Sequence, residues 1–131
     1  MSLDKKEILI TKGCVLRDIQ NAFTGFFPYL KIVFLQTQKV LRSRSITIDL
    51  DTSIMNLNHV DVPIKISIDD TRTIAQVSDD FEKALGFSIE VLRKSGNVWN
   101  VISVTKGWTL ENQNSAGRFI SMEMASPLSP D

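Results

Sequence analysis

Two stretches of this chain carry the same order of apolar residues, and a repeat constrains a fold more than any single motif does. With Thr11–Leu35 set against Asp69–Leu92, Ile19 falls on Val77, Phe23 on Phe81, Ile32 on Ile89 and Leu35 on Leu92. Further along, Ile46-Thr47-Ile48 falls on Ile102-Ser103-Val104, Ser53-Ile54 on Thr109-Leu110, and Asn56 and Asn58 on Asn112 and Asn114. The offset drifts from 58 to 57 to 56, as small insertions in connecting segments would make it. The expectation is a tandem duplication, with pseudo-repeats at about 7–60 and 64–122 related by a pseudo-two-fold axis.

Each repeat reads as strand, helix, strand, strand, short helix. Glu7–Thr11 is a short strand. Val15, Ile19, Ala22, Phe23 and Phe26 recur at helical spacing, so a helix runs over about Val15–Phe26 and stops before Pro28. Tyr29–Leu35 is β-branched and aromatic, Gln36–Arg44 reads as a hairpin tip, and Ser45–Leu50 as its return strand. Asp51-Thr52-Ser53 caps a short helix over Ile54–Leu57. In the second repeat Ile64–Ile68 is a strand, and Thr73-Ile74-Ala75-Gln76 has capping-box spacing. Ile74, Val77, Phe81, Ala84 and Leu85 form the buried stripe of that helix, and Gly86 suits a left-handed C-terminal position. Phe87–Leu92 and Val98–Thr105 are strands about a Ser95-Gly96-Asn97 turn, and Thr109 caps a last helix to about Met122. Gly117 weakens that helix, and Ile120, Met122 and Met124 also alternate as a strand would. The fold class expected is α+β: one domain over 1–124, helices packed on a mixed sheet with a right-handed crossover, and a flexible tail over 125–131. A ferredoxin-like arrangement is the alternative topology.

At 131 residues the chain suffices for one core. The lone Cys14 excludes an internal disulfide and a thiolate metal cluster, which suits the cytoplasm. No apolar run reaches the roughly 18 residues of a membrane helix, and the N-terminus lacks a signal-peptide pattern. Net charge is zero but uneven: +5 over residues 1–48, −6 over 49–90 and +1 beyond. The halves could therefore attract one another, or a second copy. A neutral domain has no broad field for nucleic acid, and Lys39, Arg42 and Arg44 read as a solvated hairpin.

Catalytic signals are weak. Cys14 precedes a helix, where a thiol pKa can fall, but its counterpart is Arg72, and His59 is the only histidine. Asp49, Asp51, His59 and Asp61 have no metal-ligand spacing and fit backbone capping better. Lys12-Gly13 and Lys106-Gly107 lack the partners of a phosphate loop. No catalytic residue, metal or cofactor is assigned.

The second repeat holds the unusual residues. Arg93, Lys94, Asn97 and Trp99 surround the hairpin turn, and Trp108, Gln113, Asn114 and Arg118 follow. Tryptophan and arginine are enriched at binding hot spots, although turn chemistry and packing use the same residues. The first repeat has Gln36-Thr37-Gln38 at the matching tip and no tryptophan.

The runs Phe27-Pro28-Tyr29-Leu30-Lys31-Ile32, Arg93-Lys94-Ser95-Gly96-Asn97-Val98-Trp99 and Trp108-Thr109-Leu110-Glu111-Asn112-Gln113-Asn114 resemble those of an uncharacterised family of small bacterial cytoplasmic proteins. The resemblance implies a bacterial, soluble origin and brings no activity, ligand or partner with it. Thr105-Lys106-Gly107 stands before Trp108 where the resemblance leads one to expect an acidic residue, a departure that speaks against a role for an acid at that spot.

The leading functional expectation is a non-catalytic protein-interaction or assembly module. It would dock a protein partner or a second copy, as in a homodimer, through a sheet edge or the Trp99/Trp108 region. The alternative is a small-molecule or anion-sensing domain with a pocket between the halves, lined by Arg93, Lys94, Asn97 and Arg118. Enzyme, nucleic-acid binder and membrane protein rank below these.

Overall fold

The computed structural model describes residues 5–37, 45–57 and 60–125. In chain order the strands are β1 (Glu7–Ile10), β2 (Leu30–Thr37), β3 (Ser45–Thr47), β4 (Ile64–Ser67), β5 (Ser88–Ser95) and β6 (Val98–Val101). The helices are α1 (Leu16–Phe26), α2 (Ile74–Leu85) and α3 (Leu110–Ala125), with a single 3-10 turn at Ile54–Asn56. The chain is α+β. One sheet has two strands, β1-β4, and the other has four, in the order β3-β2-β5-β6.

Both sheets are antiparallel, which corrects the expectation of a mixed sheet. The expected crossover within one sheet is also corrected, because β1 and β2 lie in different sheets. The first strand after each loop finds its partner in the other half: β1 pairs with β4, and β2 with β5. That satisfies the central backbone ladders without a parallel crossover.

Local chemistry explains the elements. Asp18 Oδ2 accepts the Val15 amide at 2.9 Å at the start of α1. Thr73 and Gln76 close a reciprocal capping box on α2, at 3.1 and 3.0 Å. Gly86 ends α2 at φ 81°, where a side chain would be strained. Ser53 caps the 3-10 turn, and Thr109 Oγ1 accepts the Asn112 amide at 3.1 Å at the start of α3.

The core lies between the helices and the four-stranded sheet. Leu30, Ile32 and Phe34 of β2 and Ile89 and Val91 of β5 alternate onto one face, and all are buried. Leu16, Ile19 and Phe23 of α1 and Ile74, Val77, Phe81 and Leu85 of α2 are buried too. α1 packs on β2, while α2 and α3 pack on β5. Ile8, Ile10 and Ile66 of the two-stranded sheet join the same core, with β1 against α1 and β4 against α2. Burying each such side chain contributes about 1.5–3 kcal/mol.

Some backbone bonds have a similar placement in the two halves. Arg17 donates to Leu50 O at 2.8 Å and Ala75 to Lys106 O at 3.0 Å. Ile54 donates to Cys14 O at 3.0 Å and Leu110 to Arg72 O at 2.8 Å. Val15 bridges Ser53 as Thr73 bridges Thr109. In the β2-β5 ladder Val33 faces Glu90, with Ile32 on Val91 and Phe34 on Ile89 stepping symmetrically to either side. Ile48 donates to Phe34 O at 2.7 Å and Ile102 to Val91 O at 2.9 Å.

Other boundaries also move. β5 runs on to Ser95, β6 stops at Val101 rather than Thr105, and α3 reaches Ala125 rather than Met122. The hairpin tip at 38–44, with Lys39, Arg42 and Arg44, lies outside the described residues, as do Asn58, His59 and 126–131.

Candidate functional site

Strand β5 divides the candidate residues between two surfaces, because neighbouring side chains of a strand point to opposite faces. Arg93 points to the helix side, in register with buried Leu30. Its Nη1 donates to Gln113 Oε1 at 3.0 Å. Gln113 is fully buried, and its Nε2 donates to Thr105 O at 2.8 Å and Thr105 Oγ1 at 2.7 Å. Asn114 Oδ1 accepts the Tyr29 amide at 2.8 Å. Ser121 Oγ accepts the Gly96 amide at 3.0 Å and lies 3.3 Å from Lys94 O, to which it donates. Arg93, Gln113 and Asn114 therefore seat α3 on the sheet, and both ends of the Gln113 amide are engaged inside the fold.

The opposite face of the four-stranded sheet has no cover among the described elements. Lys31, Val33 and Leu35 of β2, Glu90, Leu92 and Lys94 of β5, and Trp99 and Val101 of β6 lie on it, and none is buried. Lys31 Nζ sits 4.6 Å from the Trp99 ring centroid and Lys94 Nζ 5.9 Å. Two cations over one indole hold the ring across the sheet and leave an amphipathic surface. Val33, Leu35, Leu92 and Val101 give that surface an apolar strip beside the tryptophan.

The remaining candidates disperse. Asn97 lines a cavity of about 390 Å³ with Tyr29, Lys94, Gly96, Ser121 and Met122. Arg93 and Arg118 are not part of that lining. Trp108 is 45% exposed and sits in the segment whose carbonyl accepts the Ile74 amide, away from Trp99's strand. Arg118 is on the exposed side of α3.

Acid–base and metal chemistry find little support. Asp49 Oδ1 accepts the Asp51 amide at 2.9 Å, and Asp51 Oδ1 takes the Arg17 guanidinium at 3.2 Å. Among the described residues no group of three or more histidine, cysteine or carboxylate side chains meets at one point. Cys14 Sγ lies 3.5 Å from Thr11 Oγ1. Lys83 is held above its ordinary pKa by its hydrogen bond and charge pairing with Asp79, a surface pair one helical turn away.

Lys31, Val33, Leu35, Leu92 and Val101 were not among the expected site residues. Their signal was partial: Val33 and Leu35 make the second face of β2 largely apolar, whereas that face of β5 carries Leu92 among Ser88, Glu90 and Lys94. Comparison with protein-family models, curated proteins and solved structures finds no match to this chain. Among the described residues no helix is long and apolar enough to cross a membrane.

Proposed function

We propose that this protein is a non-catalytic interaction or assembly module that docks a protein partner, or a second copy, on the open face of its four-stranded sheet. One observation carries the reading: Val33, Leu35, Leu92 and Val101, interleaved with Lys31 and Glu90, stand beside a cation-flanked tryptophan with no described element over them. An antiparallel sheet with a solvated face ordinarily alternates to polar residues there, and an apolar patch of that kind marks an interface. The resemblance and the lone cysteine support a bacterial cytoplasmic setting.

The reading includes a tandem duplication of the β-α-β-β-helix unit. It is supported by the recurring cap, bridge and ladder bonds in the two halves. The anion-sensing alternative has weaker support, since Arg93 is engaged by Gln113 on the other side of the sheet from Lys94.

The test compares wild type with Leu92→Lys and Trp99→Ala, both matched for melting temperature. Sedimentation velocity reads self-association, and affinity capture reads other partners. A complex formed by wild type and lost in both variants supports the reading. A complex retained by both variants, or none under any condition, removes it.

A further inference from the structure

We infer that a groove on the first half, uncovered among the described residues, receives an amphipathic helix from a protein partner, in the manner in which α3 covers the second half. The inference rests on the two-fold reading of the halves. In the second half α3 starts at buried Leu110, continues through buried Gln113 and crosses the sheet at Gly117. A Cβ at Gly117 would meet Tyr29 Cβ at 2.8 Å and Arg93 Cγ at 3.0 Å.

The β2-β5 register maps that seat onto the other half. Stepping out equally from Val33 and Glu90, Arg93 corresponds to Gln36, and Tyr29 to Gly86. The hydrogen bonds of the return strands match Ile102 with Ile48, and those of the caps match Leu110 with Ile54. Gln36, Ile48 and Gly86, with Leu57 and Phe87, line a groove of about 560 Å³. Where α3 would begin, the first half makes only the 3-10 turn Ile54–Asn56, and the chain then departs for β4. The seat is thus built on both sides of the molecule and filled by the protein's own helix on one.

Charge sets the occupant's chemistry. Glu82 is the ionisable residue of the groove lining, and it makes no ion pair among the described residues. It stands where the first half has Thr24, whose hydroxyl donates to Leu30 O at 2.9 Å. The partner helix therefore presents an apolar stripe with a small residue at its crossing point, as Gly117 is in α3, and a lysine or arginine toward Glu82.

The test is an amide NMR titration of the full chain with a synthetic peptide of the α3 sequence, residues 109–125, which carries Arg118 beside Gly117. Saturable shifts at Gln36, Ile48, Leu57, Gly86 and Phe87 are expected. Glu82→Lys, at an exposed position, should weaken the binding about ten-fold or more, the cost of a reversed charge contact. No shift at millimolar peptide, or an affinity unchanged in Glu82→Lys, overturns the proposal. Shifts confined to Gly96 and Asn97 overturn it as well, because the peptide is then exchanging with α3's own seat. Shifts that depend on protein concentration without peptide would name a second copy as the occupant and overturn the assigned partner. Amide exchange on the same samples separates the two layers. Equal protection at Arg17 and Ala75 without peptide binding sinks the groove alone, whereas free exchange at Arg17 with protection at Ala75 sinks the two-fold reading beneath it.

Discussion

Gly117 illustrates how a residue unfavourable to an element's propensity is required by its packing. Its missing side chain lets α3 approach Lys94 O, which a Cβ would reach at 3.2 Å. Two of the atoms it would meet belong to backbone or to a Cβ, neither of which can swing aside. Gly117→Val should therefore lower unfolding free energy by about 1–3 kcal/mol, the range for overpacking, measured by urea titration. An unchanged midpoint would contradict this packing. Gln113 is the matching polar case. Gln113→Leu leaves Arg93 without its partner and should cost about 1–3 kcal/mol. The sequence did mark Arg93, Gln113 and Asn114 as unusual. Residue type does not separate a group that binds a ligand from one that seats a helix; the strand's alternation does, once its register is known.

At the scale of elements, much was legible because local chemistry decides it. The capping box at Thr73, the left-handed Gly86 and the helical stripes of α1 and α2 follow from spacing alone. The partners of the strands did not follow. β1 pairs with the other half, and β2 pairs there on one side and with β3 of its own half on the other, a choice made by tertiary packing that short apolar runs do not encode. Strand ends slipped for a related reason: β6 stops at Val101, where the chain turns to bond the start of α2 through Lys106 O and Trp108 O. The proposed repeat makes a prediction at this scale. Phe23 and Phe81 are fully buried on matching faces of α1 and α2. Phe23→Ala and Phe81→Ala should each destabilise by about 3–5 kcal/mol, and by similar amounts. A loss below about 0.5 kcal/mol at either, typical of a surface position, would reject its placement in the core.

For the whole molecule, what matters is that helices cover one face of the four-stranded sheet, while the other carries half-buried Val33, Leu35, Leu92 and Trp99 and exposed Val101 among Lys31, Glu90 and Lys94, with no described element over them. Leu92→Lys on that face should leave stability within about 0.5 kcal/mol while abolishing association. A large loss of stability instead would mean that Leu92 is held by the fold itself. The sequence shows Val33 and Leu35 making both faces of β2 largely apolar, while β5 alternates apart from Leu92, and which face a chain covers with its own helices depends on how the halves meet. The measurement that bears most directly on the interaction reading is photo-crosslinking in cells with a benzophenone residue at position 33 or 92, against a control at position 79 on the exposed surface of α2. The account predicts a discrete adduct from 33 and 92 and none from 79, its mass telling a second copy from another protein. No adduct from the sheet face, or the same adduct from all three positions, would contradict it.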